Sequence, residues 1–391
     1  MAPSSYSGVI SYTTGWFNLF GNLASDAFFA VSLAEFFETS MRTNFSTIGK
    51  VIVGILALVV WSALNMLHIE TQTFIHTFGA IWQITCTFIV IISLFITCAS
   101  PNLHATNTQI FLTTYNGTGF DSFPYVTMIG TLCALYSFSG YEAAGQMAEE
   151  TTDPSVAVPK GIIYTVIATS ITGFIYIYGL LYASAHRIPE LTSNGEFSVN
   201  DVFLGCMGAD GAWYLNFFIL INLFFSGISS ETVTIRQTYT LARDSALPFS
   251  KSLSKINVSS KSPINATAAV FLAASLLVSL QIFSSTAFIA VTSISTIGFQ
   301  LSYLIPIALR AIRSGSLVFT GPFSLGVYGN VISVIACVFL GVTSLLFLLP
   351  VSYPITLDNF NWTGVVAVLS ATCAYLWWTI SAKFKFKGGL T

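Results

Sequence analysis

Apolar residues in this chain cluster in ten stretches of about 20 residues, separated by shorter polar segments. A helix rises 1.5 Å per residue, so about 20 residues cross the roughly 30 Å hydrocarbon core of a bilayer. The stretches lack the ten-residue alternation of barrel strands. The pattern therefore predicts an all-α, polytopic membrane protein. The ten predicted spans are 12–37, 47–67, 72–98, 124–147, 160–185, 213–237, 263–283, 286–309, 330–349 and 362–381.

Composition supports this class of protein. Hydrophobic residues make up 54% of the 391 residues and charged residues 8%, whereas soluble domains carry about 25% charged residues. A net charge of −2 with 14 Lys and Arg excludes a nucleic-acid binder. The six cysteines are scattered singly, without metal-ligand or redox spacing, so no metal or other cofactor is predicted.

The distribution of basic residues predicts the orientation. Cytoplasmic loops of membrane proteins are enriched in Lys and Arg. With both termini cytoplasmic, 11 of the 14 basic residues lie inside. These are Lys160, Arg236, Arg243, Lys251, Lys255, Lys261, Arg310, Arg313, Lys383, Lys385 and Lys387. Arg42, Lys50 and Arg187 remain outside, and the outside sequon at Asn116 is a candidate glycosylation site.

Four ionisable residues fall within predicted spans, where such groups are costly. They are Asp26, His76, Glu142 and Glu231. Each either lines a solvated path or ligand site, or forms a structural hydrogen bond between helices.

The span 124–147 contains an unusual interruption, YSFSGYEAAG at 136–145. Glycine disfavours a helix interior, and broken helices persist at membrane depth where their backbone lines a cavity or meets a ligand. The N–H end of a broken helix suits a carboxylate, and the C=O end suits an ammonium group or a cation. An amino acid carries both charges. A close helix–helix contact through small residues is the alternative explanation.

Polar stripes on three other spans support a lined cavity. Each stripe repeats at helical spacing, although Ser and Thr often bond to their own helix. The stripes are His76, Ala80, Gln83 and Thr87; Asn222, Ser226, Ser229, Ser230 and Val233; and Thr292, Thr296, Gln300 and Tyr303.

Several ordered blocks resemble amino acid permeases of the amino acid–polyamine–organocation superfamily, closest to the eukaryotic amino acid, GABA and choline permeases. The blocks are GWFN at 15–18, SGYEA at 139–143, MAEET at 147–151, VPKGI at 158–162, RQTYTLARDSALP at 236–248, TSISTIGFQLSYLIP at 292–306 and GPFSLG at 321–326. The resemblance extends over nearly the whole chain.

The resemblance implies a single transporter domain over 1–391, built from inverted five-helix repeats. Residues 12–98 would be the remainder of the first repeat, 124–309 the second repeat and 330–381 a peripheral helix pair. The family has twelve spans, and this chain begins at what matches the third. The resemblance therefore predicts that the first two spans are missing, as in a truncated gene model or a short, non-transporting relative.

The resemblance also implies a site at the interruption. Substrate would contact Ser137, Phe138, Ser139, Gly140 and Tyr141. Glu142 follows the interruption and would gate or relay a proton. Asp26 and Glu231 match no acidic position of the family and are further coupling or gating candidates.

These features predict secondary active transport of an amino acid or a related amine across a bilayer, in the plasma membrane or an organelle membrane, with proton coupling as an option. A sensor or regulatory relative of a permease is the alternative. A membrane enzyme would need converging catalytic groups, and no catalytic motif occurs.

Overall fold

The computed structural model describes residues 7–99, 104–148, 151–192, 198–312, 322–357 and 359–386. Five residues used above lie outside these ranges: Glu149, Glu150, Arg313, Gly321 and Lys387.

The described chain is built from α-helices and their connections. In chain order the helices are α1 (Ser7–Met41), α2 (Thr47–Asn65), α3 (Ile69–Thr97), α4 (Asn107–Phe111), α5 (Phe123–Ser137), α6 (Ala143–Gln146), α7 (Pro154–Ser184), α8 (Ile188–Leu191), α9 (Val199–Arg243), α10 (Ser250–Leu253), α11 (Ile264–Phe283), α12 (Ser285–Ile312), α13 (Gly329–Leu346), α14 (Thr363–Trp377) and α15 (Lys383–Lys385). A π-helical turn at Trp378–Ala382 joins α14 to α15.

Each predicted span coincides with one helix or with a pair of helices. The span predicted at 124–147 is divided into α5 and α6. The span predicted at 213–237 belongs to the longer α9, which continues across a kink at Gly208, where φ is 71°. The all-α, polytopic architecture is confirmed, whereas the division into repeats stays a prediction.

Eight helices of the described chain are long and apolar enough to cross a membrane. The predicted spans not in this set are α1 and α5. α5 has 15 residues, and α1 is more polar because it carries Asn18, Asn22 and Asp26. Large apolar side chains point outward from the bundle; Phe74 is 72% exposed and Ile96 is 70% exposed. This is the surface of an integral, multi-pass membrane protein.

α1 lies at the centre of the bundle. It packs most extensively against α12 and α9, and also against α2, α11 and α14. A large apolar cluster, built around Trp61 and Leu58 of α2, joins α1, α2, α9 and α11. On the other side of α9, α3 and α7 form a second cluster that contains Val90 and Leu94. α1 is therefore covered on several sides by other helices.

Glycine allows α1 and α12 to approach closely. A Cβ added to Gly298 on α12 would lie 2.7 Å from the Phe17 carbonyl oxygen, and one added to Gly21 on α1 would lie 3.0 Å from the Ser295 carbonyl oxygen. Both obstacles are backbone atoms, which cannot rotate away. Side chains larger than hydrogen would push the two helices apart.

We predict that Gly298→Ala destabilises the protein by about 1–3 kcal/mol, the usual cost of overpacking a core. Gly341→Ala is the matched control, because a Cβ at that helical position meets nothing within 4 Å; there alanine should be neutral or stabilising by up to about 1 kcal/mol. Thermal unfolding of the detergent-purified variants measures both. Equal unfolding temperatures for the two variants would contradict the close approach of α1 and α12.

Candidate functional site

The interruption predicted in the span 124–147 is present. α5 ends at Ser137, and Gly140 has a φ of 91°, a left-handed conformation that favours glycine. The Ser139 N–H donates to the Tyr136 carbonyl at 3.2 Å, and the Ala143 N–H donates to the Gly140 carbonyl at 3.1 Å. These short-range bonds turn the chain before α6 begins, so backbone groups of the turn do not follow the regular helical pattern.

α12 flanks this turn with part of its predicted stripe. The Ser139 Oγ lies 3.5 Å from the Thr296 Oγ1. The rings of Tyr141 and Tyr303 lie 5.1 Å apart, centroid to centroid. Gln300 points elsewhere, and its Oε1 accepts hydrogen bonds from Thr343 and Ser344 on α13. The α12 stripe therefore contributes to two interfaces, one with the turn and one with α13, instead of lining a single cavity.

Burial differs among the five predicted substrate-contacting residues. Ser137 and Gly140 are exposed, whereas Phe138, Ser139 and Tyr141 are half-buried. The Ser137 Oγ donates to the Cys133 carbonyl of its own helix at 3.1 Å. Ser139 and Tyr141 are thus the members of the set that face α12.

Glu142 ends the turn with an unsatisfied acceptor. Its Oε2 is buried and has no hydrogen-bond partner among the described residues. The buried Tyr303 hydroxyl of α12 interacts with Glu142, and so does the Asn18 side chain of α1. Glu142 therefore lies among polar groups of α1 and α12 at the corner of the turn.

A buried amide network connects the turn to α1. The Gln146 Nε2, on α6, donates to the Asn18 Oδ1 at 3.2 Å, and the Asn18 Nδ2 donates to the Ser302 Oγ at 3.2 Å. The Asn22 Nδ2 donates to the Gln237 Oε1 at 2.7 Å. This amide network was not predicted from the sequence. Its only signal is the i, i+4 spacing of Asn18 and Asn22 in a predicted span.

The stripes of α3 and α9 bond to each other. The Gln83 Nε2 donates to the Ser226 Oγ at 2.9 Å. The two ring nitrogens of His76 lie 3.3 Å from the Ser229 Oγ and 3.2 Å from the Thr232 Oγ1. His76 is therefore part of the α3–α9 interface and is separate from the turn at 138–142.

Asp26 and Glu231 are also separate from the turn. Both are fully buried between α1, α2 and α9. Asp26 is eight residues from Asn18, or about 12 Å along the helix axis. Glu142 and the Asp26–Glu231 pair thus lie at separate positions in the bundle. α1 and its amide network connect these positions.

Comparison with known proteins identifies the family. A family model described as amino acid permease matches residues 2–371. This chain belongs to the amino acid permease family. The family resemblance predicted from the sequence blocks is confirmed.

Several relatives of this permease extend over most of its length. The amino-acid permease BAT1 of Arabidopsis thaliana is 32% identical, with alignment to 100% of this chain and 79% of that protein. Its homolog in Oryza sativa is 31% identical, over 97% of this chain and 76% of that protein. A choline transporter of Saccharomyces cerevisiae is 28% identical, over 71% of this chain and 49% of that protein.

We predict that Gly140→Ala destabilises the permease by about 1–3 kcal/mol, because alanine is strained at a positive φ. The strain is one of backbone conformation alone, since a Cβ at Gly140 meets nothing within 4 Å. Gly145→Ala, at a helical position with the same open surroundings, should leave stability unchanged. The measurement is the midpoint of thermal unfolding in detergent. Equal unfolding midpoints for Gly140→Ala and Gly145→Ala would show that Gly140 does not have a positive φ.

Proposed function

We propose that this permease is a secondary active transporter that binds an amino acid or a related amine at the turn between α5 and α6. The transported class follows from the family and from relatives described as amino-acid permeases and a choline transporter. The observation that carries the location is the interruption itself: a helix that ends at Ser137, within a predicted span, and resumes at Ala143.

The chemistry of the turn suits a substrate with a cationic amine. Backbone carbonyl groups at the end of α5 attract positive charge because the helix dipole is negative there. The unpartnered Glu142 Oε2 adds an acceptor beside them. The half-buried Phe138 and Tyr141 offer aromatic surface, on which an ammonium group is also favourable. A substrate carboxylate would be bound by N–H groups of the turn.

α12 contacts the turn with one face and α13 with another, an arrangement that suits alternating access. Thr296 and Tyr303 flank the turn, while Gln300 holds α12 to α13. α5 itself is thinly packed, with Ile129 and Leu132 as its buried residues. We propose that α5 and α6 move against the firmer assembly of α1, α9 and α12, exposing the turn first to one side and then to the other.

We propose that transport is coupled to protons, with Glu142 as the group nearest the substrate and Asp26 and Glu231 as further coupling candidates. A carboxyl beside the binding turn can exchange its proton when substrate arrives or leaves. The chain resides in a bilayer, in the plasma membrane or an organelle membrane, with both termini in the cytoplasm. The basic residues support this orientation. Glycosylation at Asn116 stays a prediction.

Uptake into proteoliposomes tests the proposed function. The purified permease is reconstituted and offered labelled amino acids, GABA, polyamines and choline, with and without an imposed pH gradient. We expect saturable uptake of at least one of these compounds, increased by an inward proton gradient. Liposomes that take up no member of the panel faster than protein-free liposomes would overturn the proposal.

We predict that Glu142→Gln reduces the ratio of uptake at acidic pH to uptake at neutral pH by about fivefold or more. The reason is that glutamine cannot exchange a proton. Uptake should rise toward acidic external pH in the wild type and stay nearly constant in the variant. Glu70→Gln is the control, since Glu70 is an exposed carboxyl in the first turn of α3. A wild-type pH profile in Glu142→Gln would assign Glu142 a structural role.

A further inference from the structure

Two carboxyl groups are enclosed together where α1, α2 and α9 meet. Asp26 on α1 and Glu231 on α9 are both 0% exposed. Ala27, next to Asp26 in the chain, and Ile228, about one helical turn before Glu231, belong to the apolar cluster around Trp61. Two acidic groups in such surroundings carry a large desolvation cost unless they are neutralised.

Each carboxyl group has one satisfied oxygen and one orphan. The Asp26 Oδ1 accepts a hydrogen bond from the Ser230 Oγ at 2.5 Å, and the Glu231 Oε1 accepts one from the Ser62 Oγ. The Asp26 Oδ2 and the Glu231 Oε2 are buried with no hydrogen-bond partner among the described residues. Both orphan atoms can therefore accept a further ligand.

The two carboxyl groups lie at the same part of α9. Asp26 of α1 accepts from Ser230, which directly precedes Glu231 in the chain, and Glu231 accepts from Ser62 of α2. Their charges are near enough to interact. Two negative charges in a low-dielectric interior repel each other, so a proton on either group stabilises the pair.

Three basic side chains belong to the helices around the pair: His76 on α3, Arg236 on α9 and Lys50 on α2. His76 on α3 has both ring nitrogens occupied by Ser229 and Thr232, so it does not hydrogen-bond either carboxyl group. Arg236 lies near His76 and has an interaction of its own. On α2, Lys50 is paired with Glu38 at 2.7 Å and lies about three turns from Ser62.

α11 and α12 complete the surroundings of α1 and α9. α11 contains no titratable side chain. Tyr303, on α12, faces the turn at 138–142. The hydrogen bonds described for the two carboxyl groups come from the serine hydroxyl groups of Ser230 and Ser62.

We propose that Asp26 and Glu231 form a proton-binding site in which the pair holds one exchangeable proton. The described residues contain no group of three or more His, Cys, Asp or Glu suited to a metal ion. The hydroxyl groups of Ser62 and Ser230 donate to the carboxyl oxygens and so stabilise the single negative charge that remains.

The site can communicate with the turn at 138–142 through α1. Asp26 and Asn18 are on the same helix, and Asn18 accepts a hydrogen bond from Gln146 directly after the turn. When the turn moves and the bond from Gln146 to Asn18 breaks, the polar contacts of α1 change, and with them the affinity of the pair for its proton. This coupling role rests on the proposed transport function, whereas proton binding by the pair does not.

Infrared difference titration of the purified permease tests proton binding without transport. We expect a protonated-carboxyl signal at neutral pH that persists in Glu142→Gln and disappears in the Asp26→Asn, Glu231→Gln double variant. Glu70→Gln is the control for an exposed carboxyl group. A spectrum of the double variant identical to that of the wild type would overturn the site.

Proteoliposome uptake tests the coupling role. In the double variant, we expect substrate accumulation driven by a proton gradient to fall about tenfold, which is within the usual range for linked sites. Exchange of substrate across the membrane should continue. Wild-type accumulation in the double variant would overturn the coupling role, and so would accumulation that depends on a sodium gradient. Absence of uptake by the wild type would instead count against the proposed function.

Ser230→Ala provides a second variant in case the double variant unfolds. It removes the hydroxyl group that donates to Asp26 and keeps both carboxyl groups. We expect a shift of the infrared titration toward higher pH, because the remaining negative charge loses a hydrogen bond. An unchanged titration would overturn the arrangement.

Discussion

The polar side chains buried along α1 impose the constraint on which the rest of the structure depends. Asn18, Asn22 and Asp26 lie inside the bundle, where an unpaired polar group costs several kcal/mol. The helices around α1 must therefore provide partners, as α9 does with Gln237 and Ser230. Since hydrogen bonds are directional, these contacts fix the rotation and the height of α9 against α1, which apolar contacts alone would leave less specific.

The same constraint shapes the turn between α5 and α6. An interrupted helix inside a bundle leaves backbone groups that need other partners, and the surroundings supply only some of them. Gln146 donates to Asn18, while the Glu142 Oε2 accepts no hydrogen bond of normal length from the described residues. The bond from Gln146 makes α1 a physical connection between the turn and the buried carboxyl pair. The proposed proton binding at the pair and the proposed substrate binding at the turn would therefore affect each other through α1.

Packing density divides the permease into a firm part and a loose part. α1 and α12 approach so closely that Gly298 faces the backbone of Phe17. α5 has only two buried residues among those described, and α6 has none. Segments with few buried contacts open at lower free energy than the core. The proposed transport cycle uses this contrast, because the turn would move while α1, α9 and α12 stay in place.

The positions of the long apolar helices and of the interruption follow from the sequence, because bilayer thickness sets span length and glycine disfavours a helix interior. Only the tertiary structure decided which polar residues meet. Ser229 and Ser230 are adjacent in the chain, yet one binds His76 on α3 and the other binds Asp26 on α1. Helical periodicity separates two such residues by about 100°, but it does not say which helix lies on either side. That choice requires all the helices to be packed at once.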